Sequence, residues 1–507
     1  MKVFVGSVKS RVEGPPEVIE QLRQEFVLEN DYMTRQRSET FIPQYTALIS
    51  KKGSFPQGLS TSIIYYLREC GHEVEVVMER EVIDIPNKRV LQSRWEDSPF
   101  KPRPYQQDAI IQGLLHYHGV FDLSTGAGKT LIMAFVIAAW NVPTLILVNR
   151  KELAQQLREE VAEYIGISVD EVGFIGDGQF RIGNNITVGM VQSLNTKSKL
   201  RAKQIKEYLS TIKMVVTDEV HNCTSPSYKN VYRQCTNAAF NFGFTATYIG
   251  TSFSGESGKS TNDIMITAYV GPIIASCKTS ELIDRGYLCR PIIRTIANKI
   301  DFDGEVMELY SQEYERYLMR NDERNALIAK VTQLHYQQSH QTIIFISRVE
   351  HGSQIMDRLL ELGVDPDDVA IVTGETFSSS RAEAIAKFKQ GNLPILIGTV
   401  LNEGLNFFCD VGINAAGSDN ERSTIQRLGR ILRIKPGADL TQPQVVLYYD
   451  FCDKSHPYFG KHWNERRKIY QKEGHTMLAL KPTDVGSSKH ELSGSVLASE
   501  LFEKEAK

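Results

Sequence analysis

The chain predicts an α/β protein, with two successive parallel-sheet domains preceded by a small α+β unit. Three observations carry that expectation. From about residue 100 onward, apolar strands alternate with longer helical stretches, a pattern that builds parallel sheets joined by right-handed crossovers. The pattern restarts after Gly286 instead of running on into one very large sheet. A length of 507 residues fits about three domains of ordinary size.

In the first part, KVFV alternates as a strand, and PPEVIEQLRQEF spaces Val18, Leu22 and Phe26 at i, i+4, i+8 after a proline start. SIIYYLREC runs into Gly71, a helix stop, and HEVEVV alternates again. The charged, proline-containing WEDSPFKPRP marks a boundary. Beyond it GVFDL, PTLILVN, ITVGMV, IKMVVTDE and FNFGFTAT are predicted strands, and TLIMAFVIAAW is a predicted helix. RKELAQQLREEVAEYI is another, repeating Leu153, Leu157, Val161 and Ile165. The second half contributes PIIRTI, TIIFIS, VAIVTG, PILIGT, VGINAAG and VVLYYDF as strands. The expected domains are 1–95, 96–290 and 291–480. A tail, 481–507, rich in Ser, Glu and Lys, is expected to be mobile or a marginal helix.

A hydrophobic content of 41% and a charged content of 23% are ordinary for a protein with real cores. The net charge of -3 excludes a global basic field, so any nucleic-acid contact must come from local clusters. Seven cysteines without a C-x-x-C pair suggest reduced thiols and no zinc site. MKVFVGSVKSR has no long apolar core, and no run is long enough for a membrane span. The expected location is therefore cytoplasmic.

Three stretches carry chemistry. FDLSTGAGKT (121–130) sets a glycine turn and Lys-Thr between an apolar strand and a long apolar helix. Glycines let backbone amides close around a phosphate, and the helix N-terminus adds a favourable dipole. Lys129 would reach the β- and γ-phosphates and Thr130 would hold Mg²⁺. Leu123 stands where the usual pattern has its first glycine, and a plain glycine turn is the bland alternative. SGESGKST (254–261) mimics the same ending without a preceding strand and is expected to be a flexible loop. IKMVVTDEVH ends a strand in two carboxylates, where Asp218 could hold the Mg²⁺ water shell and Glu219 could polarise the attacking water. Surface strands often end this way, so it is the combination with the upstream loop that gives the pair weight. IQRLGRILRI spaces Arg427, Arg430 and Arg433 at i, i+3, i+6, near one helical face, as if to meet an anion. A surface salt-bridge helix is the alternative.

STGAGKT, DEVH, FTAT and QRLGRILR, in that order, resemble motifs I, II, III and VI of superfamily 2 helicases. RPYQQ resembles the adenine-reading Q-type motif; LVNRKELAQQ, VGMVQSL, FISRVEHG and IGTVLNEGLNF resemble motifs Ia, Ib, IV and V. The likeness covers most of residues 100–470. It implies two tandem RecA-like motor domains, ATP and Mg²⁺. It carries nucleotide contacts onto Arg103, Gln106, Ser124, Thr125, Gly126, Ala127, Gly128, Lys129, Thr130 and Gly404, with Gln106 on the adenine edge. Catalytic roles pass to Lys129, Asp218, Glu219, His221, Gln426, Arg430 and Arg433, and metal contacts to Thr130 and Asp218. His221 would couple the carboxylates to Thr245-Ala246-Thr247. Arg430 and Arg433 would come from the second domain to face the γ-phosphate held by the first, while Arg427 would be structural or solvent-facing. Arg150, Lys151, Gln192, Ser193, Arg348, Thr373, Gly374 and Thr399 match strand-tracking positions, which touch phosphates without reading sequence.

Motif II reads DEVH and not DEAD. EGPPEVIEQLRQEF, the basic residues Arg35, Arg37, Lys51 and Lys52, and FPQGLSTSIIYYLRECGHEVEV resemble the N-terminal module of phage UvsW-type branch-migration helicases. SHPYFGKHWNERRKIYQKEGH resembles the closing region of UvsW-type and XPB-like DNA motors. These likenesses imply a duplex-DNA motor that remodels forks and Holliday junctions in recombination, repair or replication, in the host cytoplasm if phage-encoded. Branched DNA and replication or recombination proteins would be its partners. The rivals are an RNA helicase, the motor subunit of a restriction system, and a non-hydrolysing nucleic-acid binding protein. The N-terminal module would hold duplex, unless it is only a solvated cap.

Overall fold

The computed structural model describes residues 1–29, 45–84, 98–246, 261–298, 300–304, 307, 309–374, 376, 378–399, 407–417, 421–439 and 444–486. Arg35, Arg37, Thr247, the glycine-rich segment 254–260, Gly404 and the tail beyond 486 lie outside the described residues. The chain forms two compact units, Met1–Cys277 and Lys278–Lys507.

The first unit opens with strands β1 (Lys2–Val5), β2 (Lys9–Glu13), β3 (Val27–Glu29), β4 (Tyr45–Ala47), β5 (Ser54–Pro56) and β6 (Glu75–Met78). Four of them make a small sheet in the order β5-β2-β1-β6, with β1 antiparallel to β2 and parallel to β6. The helices Pro16–Glu25 and Ser60–Glu69 give Leu22, Ile63 and Leu67 to its core beside Val3, Val5 and Phe55. The expected Leu22–Phe26 spacing therefore does bury, and Gly71 follows the second helix with φ +81°. Strands β2 and β5 escape the sequence pattern because KSRVE and SFP are short and mostly polar.

This module is fastened to the larger sheet behind it. A Cβ on Gly58 would lie 2.3 Å from the Thr267 carbonyl oxygen, so backbone meets backbone there. Arg80 stacks on the Tyr117 ring at 4.1 Å, donates to the Ala239 carbonyl at 3.1 Å and contacts His118 Nε2, as does Gln57. Burial, then the Arg80 charge, hold the His118 pKa well below the usual imidazole value.

The larger sheet of this unit comprises β7 (His118–Leu123), β8 (Thr144–Val148), β9 (Val172–Gly176), β10 (Gln179–Arg181), β11 (Ile186–Met190), β12 (Met214–Asp218), β13 (Phe240–Thr245) and β14 (Ile273–Cys277). Its order is β10-β9-β11-β8-β12-β13-β7-β14, parallel except for β10, which runs antiparallel to β9 at the edge. VGFIG and IIASC, now β9 and β14, lack the long apolar run that marks the central strands.

The second unit holds β15 (Arg290–Ala297), β16 (Thr342–Phe345), β17 (Val369–Val372), β18 (Ile395–Gly398), β19 (Val411–Asn414), β20 (Val445–Cys452) and β21 (Thr476–Leu480). All seven are parallel, in the order β17-β18-β16-β19-β20-β15-β21. Each sheet is thus the parallel α/β layer that the strand–helix alternation predicts, with central strands buried on both faces. Among the described residues no helix is long and apolar enough to cross a membrane.

Candidate active site

In the first unit the chemistry collects where strands β7, β12 and β13 end. Strand β7 stops at Leu123, and Ser124–Gly128 turns into the helix Lys129–Trp140. Gly126 and Gly128 take φ of +99° and +75°, a region that costs other residues roughly 1–2 kcal/mol. The turn is braced from below. Tyr105 and the Gln106 side-chain amide both donate to the Ala127 carbonyl at 2.9 Å, and Gln106 Oε1 accepts from the Arg103 amide at 2.8 Å. One N–H and one lone pair of the Gln106 amide remain beyond those bonds.

Several features of this loop suit a phosphate chain. The backbone is curled by its glycines, and the helix behind it is long enough to present a full positive end. Lys129 and Thr130 sit half-buried in its first turn. Ser124 Oγ is buried without a hydrogen-bond partner, a polar atom that a ligand oxygen would satisfy.

Strand β13 lies between β7 and β12, so the loop and the two carboxylates stand two strand spacings apart, about 10 Å. Register places them level: Asp218 pairs with Phe244, which pairs with Phe121, and Thr245 pairs with Asp122. Glu219 is not the last strand residue that its sequence suggests. It turns into the left-handed region at φ 49°, ψ 59°, and is one of four non-glycine residues with positive φ among those described. Held strain of this kind concentrates at functional positions. His221 Nδ1 lies 3.3 Å from Glu219 Oε2. Tyr228, which the sequence reading did not single out, has a buried hydroxyl without a hydrogen-bond partner. Burial, then the charges of Asp218, Cys223 and Glu219, push its phenol above the usual range.

The positions expected to track a strand follow the other half of the same sheet edge. Arg150 and Lys151 come after β8, and Gln192 and Ser193 after its neighbour β11. Arg150, Lys151 and Gln192 are exposed. Lys151 pairs with Asp177 at 2.6 Å, and Gln192 donates to the Asn149 carbonyl at 2.9 Å.

The second unit repeats that division. Arg348, Thr373, Gly374 and Thr399 follow the adjacent strands β16, β17 and β18. Arg348 lies over the Tyr314 ring at 5.8 Å. Thr373 is buried, its hydroxyl 3.1 Å from that of Thr376, which points it inward. The arginine segment lies beyond β19. Its helix spans Glu421–Ile431, so the expected single face carrying all three arginines is corrected: Arg433 falls two residues past the helix end. There the chain is drawn out because Cys289 N–H donates to the Leu432 carbonyl at 2.8 Å, and its Sγ reaches the Arg433 carbonyl at 3.5 Å. Gln426, Arg427 and Arg430 are buried, and Arg433 half-buried. Of the two roles open to Arg427, solvent-facing is excluded.

Two family models match the chain. One family model, Type III restriction enzyme, res subunit, matches residues 99–250, and Helicase conserved C-terminal domain matches residues 323–435. By these two matches the chain resembles the superfamily 2 helicases. The helicase is 25% identical over 347 residues to the ATP-dependent DNA helicase uvsW of Enterobacteria phage T4, covering 66% of this chain and 66% of that one. It is 25% identical over 402 residues to the DNA 3'-5' translocase XPB2 of Sulfurisphaera tokodaii, covering 72% of this chain and 84% of the relative. In fold it is similar to a fragment of an HsdR subunit of a type I restriction enzyme from Vibrio vulnificus. That likeness has a TM-score of 0.55 at 17% identity, over 78% of this chain and 72% of that one. The helicase domains imply ATP as the fuel.

Sequence reasoning missed the side chains that hold the motifs of the helicase in place. Tyr105 stood inside RPYQQ unremarked. Asp450 lay in the apolar run VVLYYDF, where a lone carboxylate is itself a signal of a buried partner.

Proposed function

We propose that this protein is an ATP-dependent DNA helicase or translocase that remodels branched DNA by branch migration, fork regression and unwinding, in recombination, repair or replication. One observation carries the motor reading: a phosphate-type loop and a strained Asp-Glu pair end level strands of one sheet, with strand-tracking positions on the neighbouring strands. In this reading Lys129 and the loop amides hold the triphosphate, with Ser124 and Gln106 completing the nucleotide contacts. Glu219 orients the attacking water, and His221 couples it to Thr245. Mg²⁺, held through Thr130 and Asp218, would neutralise phosphate charge. Arg430 and Arg433 act as guanidinium forks for charge developing on the transferred phosphoryl, with Gln426 beside them, a contribution of about 10³–10⁵ in rate.

The choice of DNA rests on the names of the uvsW and XPB2 relatives, and the branched substrate on the resemblance of the N-terminal residues to UvsW-type branch-migration helicases. Unwinding and branch migration of fork, four-way-junction and linear substrates, with ATPase assayed on duplex DNA, single-stranded DNA and RNA, test it. Stimulation by RNA alone overturns the DNA assignment, and activity confined to linear duplex overturns the branched one. The res-subunit family match favours a second reading, the motor of a restriction system. Cleavage in a reconstituted complex would identify it.

A further inference from the structure

We infer that Arg427, Asn414 and Asp450 form a buried positioning chain through which the helix Pro457–Lys472 sets the placement of the arginine segment. The inference rests on the reading of Arg430 and Arg433 as arginine fingers.

Arg427 Nη1 donates to Asn414 Oδ1 at 3.2 Å, and Asn414 Nδ2 donates to Asp450 Oδ1 at 3.2 Å, across paired residues of β19 and β20. Asp450 is the hub. Its Oδ1 also accepts from the Phe451 amide at 2.8 Å and Arg466 Nη2 at 3.1 Å; its Oδ2 accepts from Arg466 Nε and the Tyr470 hydroxyl, both at 2.8 Å. Arg466 and Tyr470 belong to the helix Pro457–Lys472, which packs on the arginine helix. Asn414, Asp450, Arg466 and Tyr470 are wholly excluded from solvent, and Arg427 is 4% exposed.

Arg430 therefore lies between two fixed points. One turn before it, Arg427 is tied to the chain. One residue after it, Ile431 seats on bare backbone, since a Cβ on Gly412 would come 2.6 Å from Ile431 Cδ1. A buried charged chain is a poor way to add stability, because apolar residues of similar volume often do as well. Its directional bonds do something an apolar contact cannot: they set the rotation of the arginine helix. Asn414 is the one link that both accepts and donates, so the chain passes through its amide.

Arg427→Met and Asn414→Asp in the full chain test this by ATPase with duplex DNA, alongside ADP affinity. Arg427→Met leaves the Asp450–Arg466 pair intact. It is expected to lower kcat by about 10²-fold, the order that a misplacement of about 1 Å costs, with KM for ATP little changed. Asn414→Asp replaces the donor by a carboxylate beside Asp450, so its kcat should also fall. Like Arg427→Met, it should do so with KM for ATP and ADP affinity little changed. A purely structural role moves stability without that split between kcat and KM.

Folded variants with native kcat overturn the inference. Should both fail to fold, Tyr470→Phe, which removes one oxygen from the chain, decides: a lower kcat at unchanged ADP affinity supports it, and a native kcat overturns it. Arg430→Ala and Arg433→Ala, run in parallel, separate the two claims. If they keep native kcat, the finger reading fails. If they abolish turnover while the chain variants do not, that reading stands and the positioning chain falls.

Discussion

The phosphate loop of the first unit and the arginine segment of the second solve the same problem by opposite means. Under the proposed function both hold groups that meet phosphate charge. The loop does so with main chain: glycines at positive φ, a helix end, and two short braces from Tyr105 and Gln106 to one carbonyl. The arginine segment does so with side chains from distant parts of the sequence, a buried run from Arg427 through Asn414 and Asp450 to Arg466. Backbone geometry is local and tolerates change around it. A side-chain relay depends on every member, so the second unit should be the more fragile in both activity and stability.

The largest expected effects test whether the two halves act as a pair. Lys129→Ala should reduce ATP turnover by at least about 10³-fold while DNA binding, assigned to other strands, stays within about threefold. Steady-state ATPase and a filter-binding titration check this, and substantial turnover in the variant would falsify the phosphate-loop assignment. Arg433→Ala should lower kcat by about 10³-fold with a much smaller change in KM for ATP, as expected of a contact made only in the transition state. An unchanged kcat would remove Arg433 from the site.

Smaller effects probe the difference in construction. Asp450→Ala strands the Arg466 guanidinium in the interior and should cost the second unit about 3–5 kcal/mol, read as an earlier unfolding transition in urea. Gly128→Ala attacks the loop instead. Its new Cβ would stand 2.4 Å from Gln106 Nε2 at a φ of +75°. Weakening of ATP binding by about tenfold, with a smaller loss of fold stability of roughly 1–2 kcal/mol, is expected there. If the two substitutions cost equal stability, the contrast between main-chain and side-chain construction is wrong.

Acid supplies the mildest test. Burial lowers His335 and His351 to about 3 and His475 to about 4. These rings are neutral in the folded second unit but take a proton in the unfolded chain below about pH 6.5. The unfolded state then binds more protons, so stability is full above that pH and falls as the solution is acidified from there toward the folded values. His118 puts the same liability in the first unit. Thermal melts at about pH 7.5 and about pH 5 should show the second unit losing more, because it holds these three rings together with His340 and His456, which burial also lowers. Equal losses would mean that His118 alone matches them.

Legibility in the sequence follows the same divide. The glycine turn, Lys129-Thr130 and the Asp-Glu strand end were readable because short-range spacing dictates them. The central strands were readable because burial on both faces demands long apolar runs, whereas β10, β14 and β21 are edge strands without that demand, and β9, though buried throughout, is interrupted by Gly173 and Gly176. The helical face predicted for Arg427, Arg430 and Arg433 failed at its end, since Cys289 pulls Leu432 and Arg433 out of the helix by bonds that no local spacing announces.

From its sequence alone this chain determined the parallel α/β plan, the phosphate-type loop and the order of its motifs, because each depends on residues close together along the chain. Tertiary structure alone decided that Glu219 leaves the strand in a left-handed turn, that Arg427 faces inward, and that Asp450 gathers Asn414, Arg466 and Tyr470. A buried charge must find partners wherever the fold brings them, and those partners can stand anywhere in the sequence.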